Sequence, residues 1–205
     1  MRRKLTTVLG ERLYLGLYSA VSLGALIWLG LAYAAAPYVE AWPPMPAMQW
    51  APVIVMPFAC ILVVAGLTPR NPFSLGAGSA GYDAARPGIV SLTRHPVLWG
   101  LALWALAHVP PNGDAALLVL FGLFAAAAFA GPPNLDAKRR ARMGPDVWSD
   151  ISGLTSNVPL MAGLAGRARV DRAGVGAWRL VGGIVLYLLL YLAHAPVIGV
   201  APPGL

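Results

Sequence analysis

The chain has 205 residues, of which 58% are hydrophobic and 11% charged, with a mean hydropathy of +0.67 and a net charge of +7. Soluble domains are about a quarter charged, so this composition excludes a water-soluble globular protein and indicates a membrane protein. A single cysteine, Cys60, excludes a disulfide framework and any cysteine-based zinc or iron–sulfur cage, and three histidines leave little for a metal cluster.

A bilayer core of about 30 Å is crossed by roughly 20 apolar residues in helical form. The first such run is 13–35, uncharged, with Trp28 and Tyr33 towards one end as an interfacial belt. The second, 51–67, follows a proline-rich turn at 42–48 and stops at Thr68-Pro69. The third, 96–109, is apolar but short. The fourth, 115–130, is bounded by Gly131-Pro132-Pro133, and the fifth, 178–195, precedes an uncharged tail. The sequence therefore predicts an all-α polytopic helical bundle with five transmembrane helices, forming a single domain over 1–205.

Arg2-Arg3-Lys4 ahead of an apolar run has the look of a secretory signal. A signal's apolar core is about 7–15 residues long, whereas this run is longer and follows Glu11-Arg12, so an uncleaved first helix is expected. With these five spans, all fifteen Lys and Arg residues fall on one side of the membrane, while the other side carries Glu40 and Asp114. The positive-inside rule places that basic side, and the N-terminus, in the cytoplasm of a bacterial inner membrane, with the C-terminus in the periplasm. Orientation and anionic lipid headgroups account for the basic residues, so lipids are the expected partners and nucleic acid is not.

Gly76, Gly78 and Gly81 match G-x-G-x-x-G, but a dinucleotide site needs a strand before the glycines and a helix after them, so a flexible loop is expected here. Lys138, Arg139, Arg140 and Arg142, preceded by Asp136 and followed by Gly144-Pro145, read as a short cytoplasmic helix whose charges match its macrodipole. Such a helix would touch lipid headgroups or bind a phosphate-bearing or acidic cofactor. Trp148, Ile151, Leu154 and Val158 would then press the next segment against the membrane face.

Arg94-His95-Pro96 is the sharper motif. Proline suits the first turn of a helix, and the short third helix would leave Arg94 and His95 in a vestibule sunk into the cytoplasmic leaflet. Ionisable residues at that depth are candidates for a binding site, the alternative being a helix cap that reaches for headgroups. His108 closes the same helix about 20 Å away, too far to share one metal with His95. His194, at the outer end of the fifth span, lies at a depth comparable to His108. Two neutral imidazoles facing each other across a bundle suit haem iron or another transition metal, whereas a lone histidine near a helix end is more often hydrogen-bonded at the interface.

Thr93-Arg94-His95-Pro96-Val97-Leu98-Trp99-Gly100, then Leu103-Trp104-Ala105-Leu106-Ala107-His108 and Asn112-Gly113-Asp114, resembles the NnrU family of bacterial membrane proteins. Leu17-Tyr18-Ser19, Gly122, Asp136 with the following basic residues, and Thr155-Ser156 with Pro159 extend the resemblance over residues 10–159. It implies a link to denitrification and nitric oxide metabolism, or a cis–trans isomerase activity like that of the related zeta-carotene isomerase, which uses haem b on a membrane-dissolved carotenoid. On that basis His108 would be an axial haem ligand. The relative's partner histidine, on an earlier helix, has no counterpart here, and His194 is the residue that could replace it. Arg94 would neutralise an acidic group such as a haem propionate only with haem near the cytoplasmic side. The site residues expected to bind a cofactor are thus His108, His194, Arg94 and His95, the first two as ligands of haem iron.

A second resemblance is to membrane methyltransferases of the isoprenylcysteine type, which carry R-H-P at a helix start followed by an acidic residue, basic residues and aromatics. Asp136, Met143-Gly144 and Trp148 approximate that pattern, and it implies S-adenosylmethionine beside His95. The remaining expectation is a non-enzymatic accessory subunit with a fully packed interior.

Overall fold

The computed structural model describes residues 2–205, and the side chains of residues 2–4, part of the expected basic N-terminal cluster, lie outside the described set. The regular structure of the described residues is helical, with no strand beyond an isolated bridge between Glu40 and Asp114. A short helix α1 (Arg2–Leu9) leads into α2 (Glu11–Ala35). A 3-10 turn over Pro46–Gln49 opens α3 (Trp50–Leu67), and a second over Gly88–Ser91 precedes α4 (Pro96–Ala107). The long α5 (Ala115–Met143) is followed by α6 (Pro145–Ser152), the single turns α7 (Met161–Leu164) and α8 (Arg172–Val175), and α9 (Ala177–Ile198).

Four helices are long and apolar enough to cross a membrane: α2, α3 with its opening turn, α5 and α9. The shorter apolar α4 makes a fifth. Large apolar side chains such as Phe58, Leu123 and Leu189 are exposed on their outer faces, the arrangement suited to lipid rather than water.

α3 is the hub, packing against α4 on one side and α9 on the other, while α5 packs on α4. Lipid gives helices no hydrophobic reason to associate, so close backbone approach carries the packing. Glycine makes it possible at two crossings. A Cβ on Gly100 of α4 would lie 2.8 Å from the Ala59 carbonyl, and one on Gly183 of α9 would lie 2.5 Å from the Ile61 Cα. By contrast, α2 has no buried residue. Its link to the bundle is the loop beyond its outer end, where Ala41 donates to the Gly113 carbonyl, Trp42 Nε1 to the Pro110 carbonyl, and Val39 to Asp114.

Two expectations need correction. Gly131-Pro132-Pro133 does not end the fourth helix, and no separate helix begins after it: α5 runs unbroken from Ala115 to Met143. Leu135 to Met143 are good helix formers that keep the helix propagating beyond the prolines, and the Asn134 side chain donates to the Ala130 carbonyl at 2.8 Å in the strained turn. Gly144, at φ +85°, is where the helix stops. Second, Trp148 and Ile151 pack inward with Phe73, Leu62 and Val90 rather than onto the membrane face, while Leu154 and Val158 are exposed. The G-x-G-x-x-G stretch is loop, with neither a strand before it nor a helix after it.

Candidate functional site

The motif Thr93-Arg94-His95 sits where the chain enters α4, and the segment 155–160 is stitched across it. The Arg94 N–H donates to the Ser156 carbonyl at 2.8 Å, and Leu160 donates to the Leu92 carbonyl at 2.9 Å. Thr93 Oγ1 and Trp99 Nε1 both donate to the Asn157 carbonyl, at 2.5 and 2.8 Å. Below it, the Asn71 side chain accepts from the Phe73 and Ser74 N–H groups and donates to the Arg94 carbonyl. These bonds satisfy the loop backbone without secondary structure, which allows it to be buried.

Inside this frame three ionisable side chains meet. His95 is completely buried, and its Nε2 donates to Asp136 Oδ1 at 3.0 Å. The other carboxylate oxygen accepts from Arg94 Nη2 at 2.9 Å. The Arg94 guanidinium lies 5.6 Å from the Trp148 ring and 5.9 Å from the Phe73 ring, and its Nη1 reaches the Ser152 carbonyl at 3.4 Å. One turn along α5, Arg139 donates to the Ser74 carbonyl. The edge of Tyr82 meets Phe73, and burial first, then Asp83, pushes its hydroxyl up to about 12, so it remains an uncharged wall.

Four buried side-chain atoms among the described residues lack a hydrogen-bond partner: His95 Nδ1, Arg94 Nε, Ser74 Oγ and Asn157 Oδ1. All four belong to residues joined in this one network. Leaving a buried polar group unpaired costs about 1–3 kcal/mol each, so their concentration at one place marks it as a site where polar contacts remain to be made.

At the C-terminal end of α4, His108 caps the helix. Its Nδ1 donates to the Trp104 carbonyl at 2.8 Å, and its ring stacks on Phe121 at 5.2 Å. His194 on α9 donates Nδ1 to the Val200 carbonyl at 2.7 Å. A carbonyl only accepts, so each imidazole carries a proton on Nδ1, and in the neutral form the lone pair is on Nε2. Among the described residues, no group of three or more His, Cys, Asp or Glu side chains could hold a metal ion. The donor set here is two nitrogens, which suits a porphyrin-held iron needing only axial ligands, and the Nδ1–carbonyl bonds are the support that metal-binding histidines commonly have.

The structure therefore separates the four candidate residues. Arg94 and His95 meet at one end of α4 and His108 lies at the other, with His194 on α9, so no single group spans all four. Asp136 joins the first pair, although its sequence signal was weak: one acid ahead of a basic run. Ser74, Asn71 and Asn157 carry no sequence signal, since common polar residues in loops look alike until folding buries them.

A comparison with curated proteins found no match, and a comparison with solved structures found none either. A family model described as NnrU protein matches residues 1–202, beyond both ends of the 10–159 resemblance. Buried R-H-P, its acidic partner and the apolar helices thus sit within a match to nearly the whole chain, and the protein belongs to the NnrU family.

Proposed function

We propose that this protein carries haem b near the outer side of the bundle and acts on a hydrophobic molecule dissolved in the membrane, in the manner of a cis–trans isomerase. The observation that carries the reading is the matched pair His108 and His194, each holding Nδ1–H to a carbonyl and each with Nε2 free. His108 and His194 would hold the iron, and haem supplies a redox-active, Lewis-acidic metal next to the lipid phase. Phe121 and Trp104 fix the His108 ring and exclude water from it. Arg94 lies about 20 Å along the chain from this pair, so it serves the cytoplasmic site and not a haem propionate. A link to nitric oxide chemistry is compatible with the same iron.

In this reading the protein lies in the bacterial inner membrane with the basic helix ends in the cytoplasm. The test is the spectrum of the purified protein. A Soret band that is lost or shifted in both His108→Ala and His194→Ala is the expected result. A colourless wild-type protein after supplementation with haem would sink the assignment.

One observation favours a second reading. Asp136 closes on Arg94 and His95 as an acidic residue would in the methyltransferase resemblance, beside the four unpartnered polar atoms. That site would take S-adenosylmethionine from the cytoplasm. A colourless protein that binds S-adenosylmethionine in calorimetry would favour it over haem. The unpartnered atoms also weigh against an accessory subunit with a fully satisfied interior.

A further inference from the structure

His108 and His194 reach the same protonation pattern by different means. α4 ends at Ala107, and the Trp104 carbonyl accepts both the His108 backbone N–H at 3.3 Å and its Nδ1–H at 2.8 Å. α9 continues past His194 to Ile198, so the carbonyl one turn back is engaged within the helix. His194 takes its acceptor from beyond the helix.

The tail provides it. Gly199 adopts a left-handed conformation at φ +85° and turns the chain back on α9, a reversal that a side chain would strain. Val200 then offers its carbonyl to His194 Nδ1 at 2.7 Å, and Pro203 offers its carbonyl to the Tyr191 hydroxyl at 2.5 Å. Tyr191 and His194 are three positions apart on the helix and so lie on one face. The acceptors are likewise three positions apart in the tail. Pro202 and Pro203 restrict the segment between them, which lowers the entropy lost on docking. A Cβ on Gly204 would lie 3.2 Å from the Tyr191 oxygen, so the tail closes tightly at this point.

We propose that residues 199–205 form a positioning arm for His194, latched by the Tyr191 hydroxyl, that holds the imidazole with Nδ1 protonated and Nε2 presented as a metal ligand. Tyr191 is a positioning residue and touches no ligand. The role of Nε2 rests on the haem reading above; the latch itself stands on the two hydrogen bonds.

The experiment has two arms, both on the full chain in nanodiscs. In the first, haem-free protein labelled with 15N-histidine is examined by NMR. His194 should be the Nδ1–H tautomer in the wild type and a mixture of tautomers in Tyr191→Phe and in Gly199→Ala, while His108 is unchanged in all three. A wild-type His194 that is already mixed, or one unaffected by either substitution, overturns the latch whatever haem does. The second arm loads the same proteins with haem b. Six-coordinate low-spin haem should give way to five-coordinate haem in Tyr191→Phe, with His194 ligation weakened about tenfold, the lower end of what loss of such a supporting bond costs. Tyr187→Phe, which keeps both tail bonds, should leave the spectrum unchanged. If the wild type takes up no haem while the first arm succeeds, the haem reading fails and the latch stands. If haem binds and Tyr191→Phe keeps full low-spin ligation, the arm has no part in ligation and the proposal is overturned.

Discussion

Asp136 and His95 stand 41 positions apart in sequence and meet at 3.0 Å in the fold, imidazole Nε2 to carboxylate Oδ1. The carboxylate also carries Arg94, so one acid serves two neighbouring basic side chains. His95 is wholly enclosed while the Asp136 side chain is 18% exposed. The acid is the part of the cluster that still touches the surroundings, and the imidazole is the part that cannot exist there without it.

Removing Asp136 should therefore destabilise the end of the bundle where α4 begins. Asp136→Ala is expected to cost about 1–3 kcal/mol, the penalty for leaving buried donors without an acceptor. Lys138→Ala, an exposed neighbour on the same helix, should change stability little. Arg94→Lys should also lower stability, because an ammonium cannot bridge Asp136 and the Ser152 carbonyl while lying flat against Trp148 and Phe73. Denaturant unfolding in detergent measures all three. Equal midpoints for Asp136→Ala and Lys138→Ala would show that the cluster contributes nothing to folding.

The α3–α9 crossing should be intolerant of a single methyl group. Gly183→Ala places a Cβ 2.5 Å from the Ile61 Cα, a backbone contact that no rotamer change relieves, and a loss of about 1–3 kcal/mol is expected. Gly24→Ala on α2 meets nothing within 4 Å and should be neutral or slightly stabilising. Thermal unfolding of the two variants side by side tests this, and comparable stability would mean that the helices do not approach as described.

Asp171 ties the loop at Gly88 to α8, and it should respond to acid. The Gly174 N–H foremost, then the Gly88 N–H and the charge of Arg86, hold its carboxyl below the usual carboxylate range. A group with a depressed folded pKa contributes stability that is complete above the ordinary Asp value. That contribution is lost as pH falls from there through the depressed value. The Gly88 and Gly174 amide resonances should stay constant from neutral pH down to the ordinary carboxylate range and shift below it. An identical acid profile in Asp171→Asn would assign the transition to another group.

Orientation is open to direct test. With five crossings the fifteen Lys and Arg residues of the sequence fall on one side of the membrane, so a reporter fused at the C-terminus is expected to be periplasmic. A cytoplasmic signal would mean that one apolar helix does not cross, and the short α4 would be the first suspect.

The helices themselves were legible because hydropathy runs along one dimension: a long uncharged apolar stretch must be helical in lipid. His95 and Arg94 stood out for the same reason, as ionisable groups beside an apolar run. The course of α5 through Pro132 and Pro133 was not legible, since proline stops a helix in water but is tolerated in a membrane helix where neighbouring residues propagate it. Nor could any local pattern show that Asp136 crosses to His95, that Trp148 turns inward, or that Val200 returns to His194. Those contacts depend on how closely α4 and α5 pack and where the tail reverses, and distances between helices arise only when side chains from distant parts of the chain compete for the same space.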